Sequence, residues 1–87
     1  MKNTHKRNED VHEIIAANIK EYRKKAKITQ AELAERTHFS HEFIRRIEAP
    51  NSKKNFSIDA VNNIAYALDI NIELLFEKNE KILDKES

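Results

Sequence analysis

The chain has 87 residues, a net charge of +1, no glycine, no cysteine and a single proline, Pro50. That length closes around one hydrophobic core. The lack of cysteine excludes a disulfide framework or a cysteine-ligated zinc and fits a reducing compartment, and the lack of glycine excludes phosphate-binding loops and the usual tight hairpins. The opening MKNTHKRNED has no secretory apolar stretch and no apolar run approaches membrane-spanning length, so the chain reads as soluble and cytoplasmic.

In chain order, residues 1–10 are polar and without periodicity and are expected to form a flexible N-terminal arm. Val11, Ile14, Ile15, Ile19, Tyr22 and Ala26 then recur at helical spacing, predicting a first helix over about 11–26 with Lys20, Lys24 and Lys25 interleaved. Thr29-Gln30-Ala31-Glu32 has the capping-box pattern and opens a second helix, roughly 29–37, with Leu33 and Ala34 inward. Thr37-His38-Phe39 reads as a break, and Ser40 as the N-cap of a third helix to about residue 48, with Ile44 and Ile47 inward. Ala49 to Asn55 is a loop by its proline and polar cluster. Ser57 caps a fourth helix with the stripe Ile58, Val61, Ile64, Ala65 and Leu68, and Asn71 caps a fifth carrying Ile72, Leu75 and Phe76. The domain is expected over residues 11–77, with residues 78–87 an extension able to continue the fifth helix.

Two short helices around a tight turn, with a small Ala34 where they cross, describe a helix-turn-helix. Three blocks in order, NIKEYRKKAKITQAELAERT, FSHEFIRRIE and FSIDAVNNIAYALDINIELLF, resemble the Cro/C1 repressor-like (XRE-type) helix-turn-helix family, over about Ile15 to Phe76. The resemblance implies an all-α, compact five-helix, lambda-repressor-like DNA-binding domain. It also implies a homodimer on a two-fold operator in double-stranded DNA, with the third helix in the major groove. The sequence departs from the family pattern at His38, in a turn position commonly glycine, and at Ala49-Pro50. His38 is expected to take a positive φ.

Carried over by position, the base-reading surface falls on Ser40, His41, Glu42, Phe43 and Arg46, with Arg45 nearby. Arg46 has the donors for a guanine, Glu42 the acceptors for a cytosine amino group, and Phe43 an apolar surface for a thymine methyl. The resemblance places a phosphate contact at Gln30. Lys53 and Lys54 are candidates for the same backbone, and the N-terminal Lys2, Lys6 and Arg7 for a minor-groove arm. Arg23 and Glu48 occupy positions that form a structural ion pair in the family. Ile72, Phe76, Ile82 and Leu83 are the candidate dimer surface.

Charge is uneven along the chain: residues 1–27 carry eight Lys/Arg against four Asp/Glu, residues 28–56 five against four, and residues 57–87 three against seven. The basic half therefore contains the helix-turn-helix and the acidic third lies beyond it. No nucleophile pair or triad is ordered by the sequence, and His38 and His41 lack a third ligand at metal spacing. The expectation is a regulator with no enzymatic activity, no metal or cofactor and no small-molecule ligand. The competing readings are an antitoxin-like or accessory module that mainly binds a protein, and a purely structural helical adaptor.

Overall fold

The computed structural model describes residues 8–50 and 56–78, with side chains from residue 11 onward. It contains α1 (Asn8–Lys25), α2 (Gln30–Thr37), α3 (His41–Glu48), α4 (Ile58–Leu68) and α5 (Glu73–Phe76), and no strand among the described residues. No helix is long and apolar enough to cross a membrane among those residues.

The helix starts follow from local side-chain chemistry. Thr29 Oγ1 accepts from the Glu32 amide at 3.0 Å while a Glu32 carboxylate oxygen accepts from the Thr29 amide at 2.7 Å, completing the capping box of α2. Ser40 and Ser57 cap α3 and α4 by accepting from the amides of Phe43 and Ala60.

The helix ends show how a chain without glycine stops its helices. Lys27, His38 and Asp69 take φ values of 60°, 67° and 61°, so the positive φ expected at His38 is present and is matched at two further termini. In each case the following residue donates to a carbonyl five positions back, Ile28 to Arg23, Phe39 to Ala34 and Ile70 to Ala65, at 3.3, 3.0 and 3.0 Å. The left-handed residue itself donates three positions back, to Lys24, Glu35 and Tyr66 respectively. This double closure satisfies carbonyls that a helix end would otherwise leave orphaned. Its accompanying apolar contact is also present: Ile28 is buried, and Phe39 and Ile70 pack against the core. Each non-glycine residue in this region costs about 1 kcal/mol, which the closure and the apolar contact offset.

The core is built from Ile15 and Ile19 of α1, Leu33 and Ala34 of α2, Ile44 and Ile47 of α3, Val61, Ile64, Ala65 and Leu68 of α4, and Leu75 of α5, with Ile28 from the first turn. α2 packs on α3 and α4, while α1 touches α3, α4 and α5. Ala34 is 5% exposed, as a close α2–α3 crossing requires. The turn between them is tied internally and from α4: Thr37 Oγ1 lies 2.9 Å from the Leu33 carbonyl and 3.1 Å from that of Ala34, and Asn63 Nδ2 donates to the Thr37 carbonyl at 3.2 Å.

Several sequence expectations are corrected. α1 begins at Asn8, three residues before Val11, because a helix anchored by buried Ile15 and Ile19 extends upstream at one hydrogen bond per residue, whatever the polarity of the added residues. Residues 8–10, expected in the N-terminal arm, are therefore helical, and residues 1–7 lie outside the described residues. Ala26 lies beyond the helix and is exposed, and Val11 is 40% exposed. Ile58 is 59% exposed, not part of the α4 stripe. It is the first residue of the helix, and its side chain leans toward the N-terminus, off the packed surface.

Asn71 is not the side-chain cap of α5. That helix opens with a tighter turn, Leu74 and Leu75 donating to the carbonyls of Asn71 and Ile72, and its N-cap Ile72 has no side-chain cap bond. α5 stops at Phe76, and Glu77 is extended at φ −84° and ψ 137°, so the fifth helix does not run on through this point. Ile82 and Leu83 lie outside the described residues.

Candidate nucleic-acid interface

α3 is divided lengthwise. At roughly 100° per residue, His41, Glu42, Arg45 and Arg46 fall within one arc, and all four are exposed. The opposite arc holds Ile44 at 0% and Ile47 at 2% exposure, and Glu48, two turns along from His41, is buried at 5%. Phe43 sits at the margin on the inner side. It is half-buried, stacked edge-on to Phe39 with ring centroids 4.9 Å apart, and packed against the core. Much of its apolar surface thus supports the turn. Ser40 is exposed, and its cap bond uses the hydroxyl oxygen as acceptor without consuming the hydroxyl proton.

The inner arc is clamped at its C-terminal end. Glu48 receives Arg23 Nε at 2.8 Å on one carboxylate oxygen and Arg23 Nη2 at 3.0 Å on the other. Gln30 Nε2 adds a third donor at 3.0 Å, and Arg23 Nη1 donates to the Ile28 carbonyl at 2.8 Å. One network therefore joins the end of α1, the turn after it, the first residue of α2 and the last residue of α3. A buried carboxylate with three donors, two of them from a bidentate guanidinium, has its hydrogen-bonding needs met within the protein. The consequence is positional: the exposed arc of α3 is held at a fixed rotation relative to α1 and α2.

Gln30, expected at a phosphate, thus spends one side-chain amide proton on Glu48, and its side-chain amide carries a second. Gln30 lines an open cleft together with Lys24, Lys27 and His41. Lys24 and Lys27 are exposed, and they place two cations beside the N-terminus of α2, where the helix dipole also favours an anion. Neither lysine belongs to the sequence-derived candidate set, since basic residues at a helix end are common on solvated surfaces. The usable signal was their position just ahead of the capping box.

Lys53 and Lys54 fall outside the described residues, as do Lys2, Lys6 and Arg7. Ile72 is half-buried and packs against the core, whereas Phe76 is exposed at 38% and presents apolar surface to solvent. Among the described residues no three His, Cys, Asp or Glu side chains group as metal ligands.

A short α2, a three-residue turn and an α3 with one face clamped and one face polar define a helix-turn-helix domain. A family model described as a helix-turn-helix domain matches residues 16–81, and the chain belongs to that family, in keeping with the XRE-type resemblance of its three sequence blocks. No curated relative matches the chain. Among solved structures, the crystal structure of a hypothetical transcription factor, NHTF, from Neisseria is similar at 19% identity with a TM-score of 0.76, covering 88% of this chain and 86% of that one. At that identity the likeness is one of fold.

Proposed function

We propose that the protein is a sequence-specific DNA-binding regulator of transcription, with α3 entering the major groove and no catalytic activity of its own. The observation that carries this is the division of α3. His41, Glu42, Arg45 and Arg46 form one exposed face of mixed donors and acceptors, while the opposite face is fixed by Ile44, Ile47 and the Arg23–Glu48–Gln30 network. Base edges are distinguished by donor and acceptor pattern, and a rigidly held mixed face suits that task better than a uniformly cationic one. Ser40 stands at the start of the same face, with Phe43 at its margin. Gln30, Lys24 and Lys27 meet the phosphates, joined by Lys53 and Lys54.

The reading includes a homodimer on an inverted repeat, its half-sites about one turn, roughly 34 Å, apart. Ile72 and Phe76, with Ile82 and Leu83, are the proposed contact between subunits. Selection of duplexes from random sequence tests the reading: enrichment of a two-fold-symmetric site supports it, an asymmetric site argues for a monomer, and no enrichment argues against base reading.

A second reading, a module whose main partner is a protein, draws on a different surface. Tyr66 is 86% and Ile58 59% exposed on α4, and Tyr66 borders open clefts with the exposed acids Asp59 and Asp69. Stoichiometric co-purification with a protein encoded beside it, lost in Tyr66→Ala, would favour this reading.

A further inference from the structure

Glu42 and Arg45 are both on the exposed arc of α3, and Glu42 Oε1 lies 2.6 Å from Arg45 Nη2, with the side chains 62% and 58% exposed. As a contribution to stability such a pair is small. Its location gives it a different significance. A carboxylate on a surface that approaches a polyanion is unfavourable at every sequence unless it finds a donor there. Paired with Arg45, it also cancels a cation that would otherwise strengthen contact with any phosphate.

We infer that Glu42 and Arg45 act as one reading unit that suppresses indiscriminate binding, an inference that rests on α3 being the base-facing helix. Arg45 has five N–H donors, of which the contact with Glu42 uses one. The guanidinium, oriented by the carboxylate, keeps donors for the O6 and N7 of a guanine, and the second carboxylate oxygen can accept from the amino group of a neighbouring cytosine. At such a step both members gain partners while the pair stays intact. At other steps Arg45 reaches a phosphate only by leaving Glu42, and the carboxylate is then left facing the backbone. Glu42 is thereby a specificity residue through what it withholds as well as through what it contacts.

The test compares the duplex enriched by selection with a scrambled duplex of equal length, for the native protein, Glu42→Gln, Arg45→Ala and the double variant. Glu42→Gln is expected to tighten binding to the scrambled duplex about fivefold without tightening the selected site. The slope of log affinity against log salt on the scrambled duplex should steepen by about 0.9, the value for one further phosphate neutralised. In the Arg45→Ala background Glu42→Gln only relieves the repulsion of an unpaired carboxylate and frees no cation for a phosphate, so the salt slope should not steepen. Equal steepening in both backgrounds would overturn the inference, because the effect would then be one of bulk charge. An unchanged ratio between the two duplexes in Glu42→Gln would also overturn it and leave base reading by α3 standing, whereas no enriched sequence at all would overturn both.

Discussion

Arg23 grips Glu48 with two nitrogens, at 2.8 and 3.0 Å, across a separation of 25 residues, and both partners are at least nine-tenths buried. The pair fixes where the last turn of α3 sits. Removing either member leaves the other buried and uncompensated, so Arg23→Ala or Glu48→Ala is expected to cost about 3–5 kcal/mol, read from the urea unfolding midpoint. The double replacement Arg23→Met with Glu48→Leu should cost less than either single change. Equal losses in all three variants would show that packing, and not charge pairing, dominates at this position.

The three left-handed helix ends predict gains in stability. Glycine lacks the Cβ that makes this conformation unfavourable, and its larger unfolded-state entropy offsets only part of the benefit. His38→Gly and Asp69→Gly should each stabilise the fold by about 0.5–1 kcal/mol, whereas His38→Val should destabilise it. Thermal melts of the three variants check the sign.

Asn18, 2% exposed, donates from Nδ2 to the carbonyls of Leu75 and Glu77 at 2.9 and 2.8 Å and so ties α1 to the end of α5. Replacement by Leu leaves the buried Leu75 carbonyl without this donor and is expected to cost about 1–3 kcal/mol. Hydrogen exchange should show the loss of protection concentrated in residues 72–77; uniform loss through the core would contradict the local role.

These residues show which parts of the molecule the sequence could reveal. The caps at Thr29, Ser40 and Ser57 act over three residues, so the pattern that encodes them is contiguous, and the core stripes of α3 and α4 follow from helical periodicity alone. Asn18 acts across 57 and 59 residues, and nothing near it in sequence distinguishes it from a solvated amide. The resemblance places Gln30 at a phosphate, while its tie to Glu48, 18 residues away, depends on how α3 packs beside α2 and so has no local pattern. Phe43 falls at the border between the two arcs, where periodicity gives no preference and its contact with Phe39 decides. Ile82 and Leu83 continue the helical spacing past Glu77, so periodicity leaves a longer fifth helix open, and the extended backbone at Glu77 ends it at Phe76.

Lys24 and Lys27, beside the start of α2, are expected to act on the DNA backbone without regard to sequence. Lys24→Ala and Lys27→Ala should weaken binding to selected and scrambled duplexes by similar factors, and each should flatten the salt slope by about 0.9. A change confined to the selected duplex would place them at bases instead.

The most direct test of α3 as the reading helix is selection from random duplexes with the native protein and with Arg46→Ala in parallel. The account predicts a two-fold-symmetric site for the native protein and relaxed preference at a G·C pair in each half-site for the variant. Absence of any enriched sequence, or an identical site from both proteins at undiminished affinity, would contradict it.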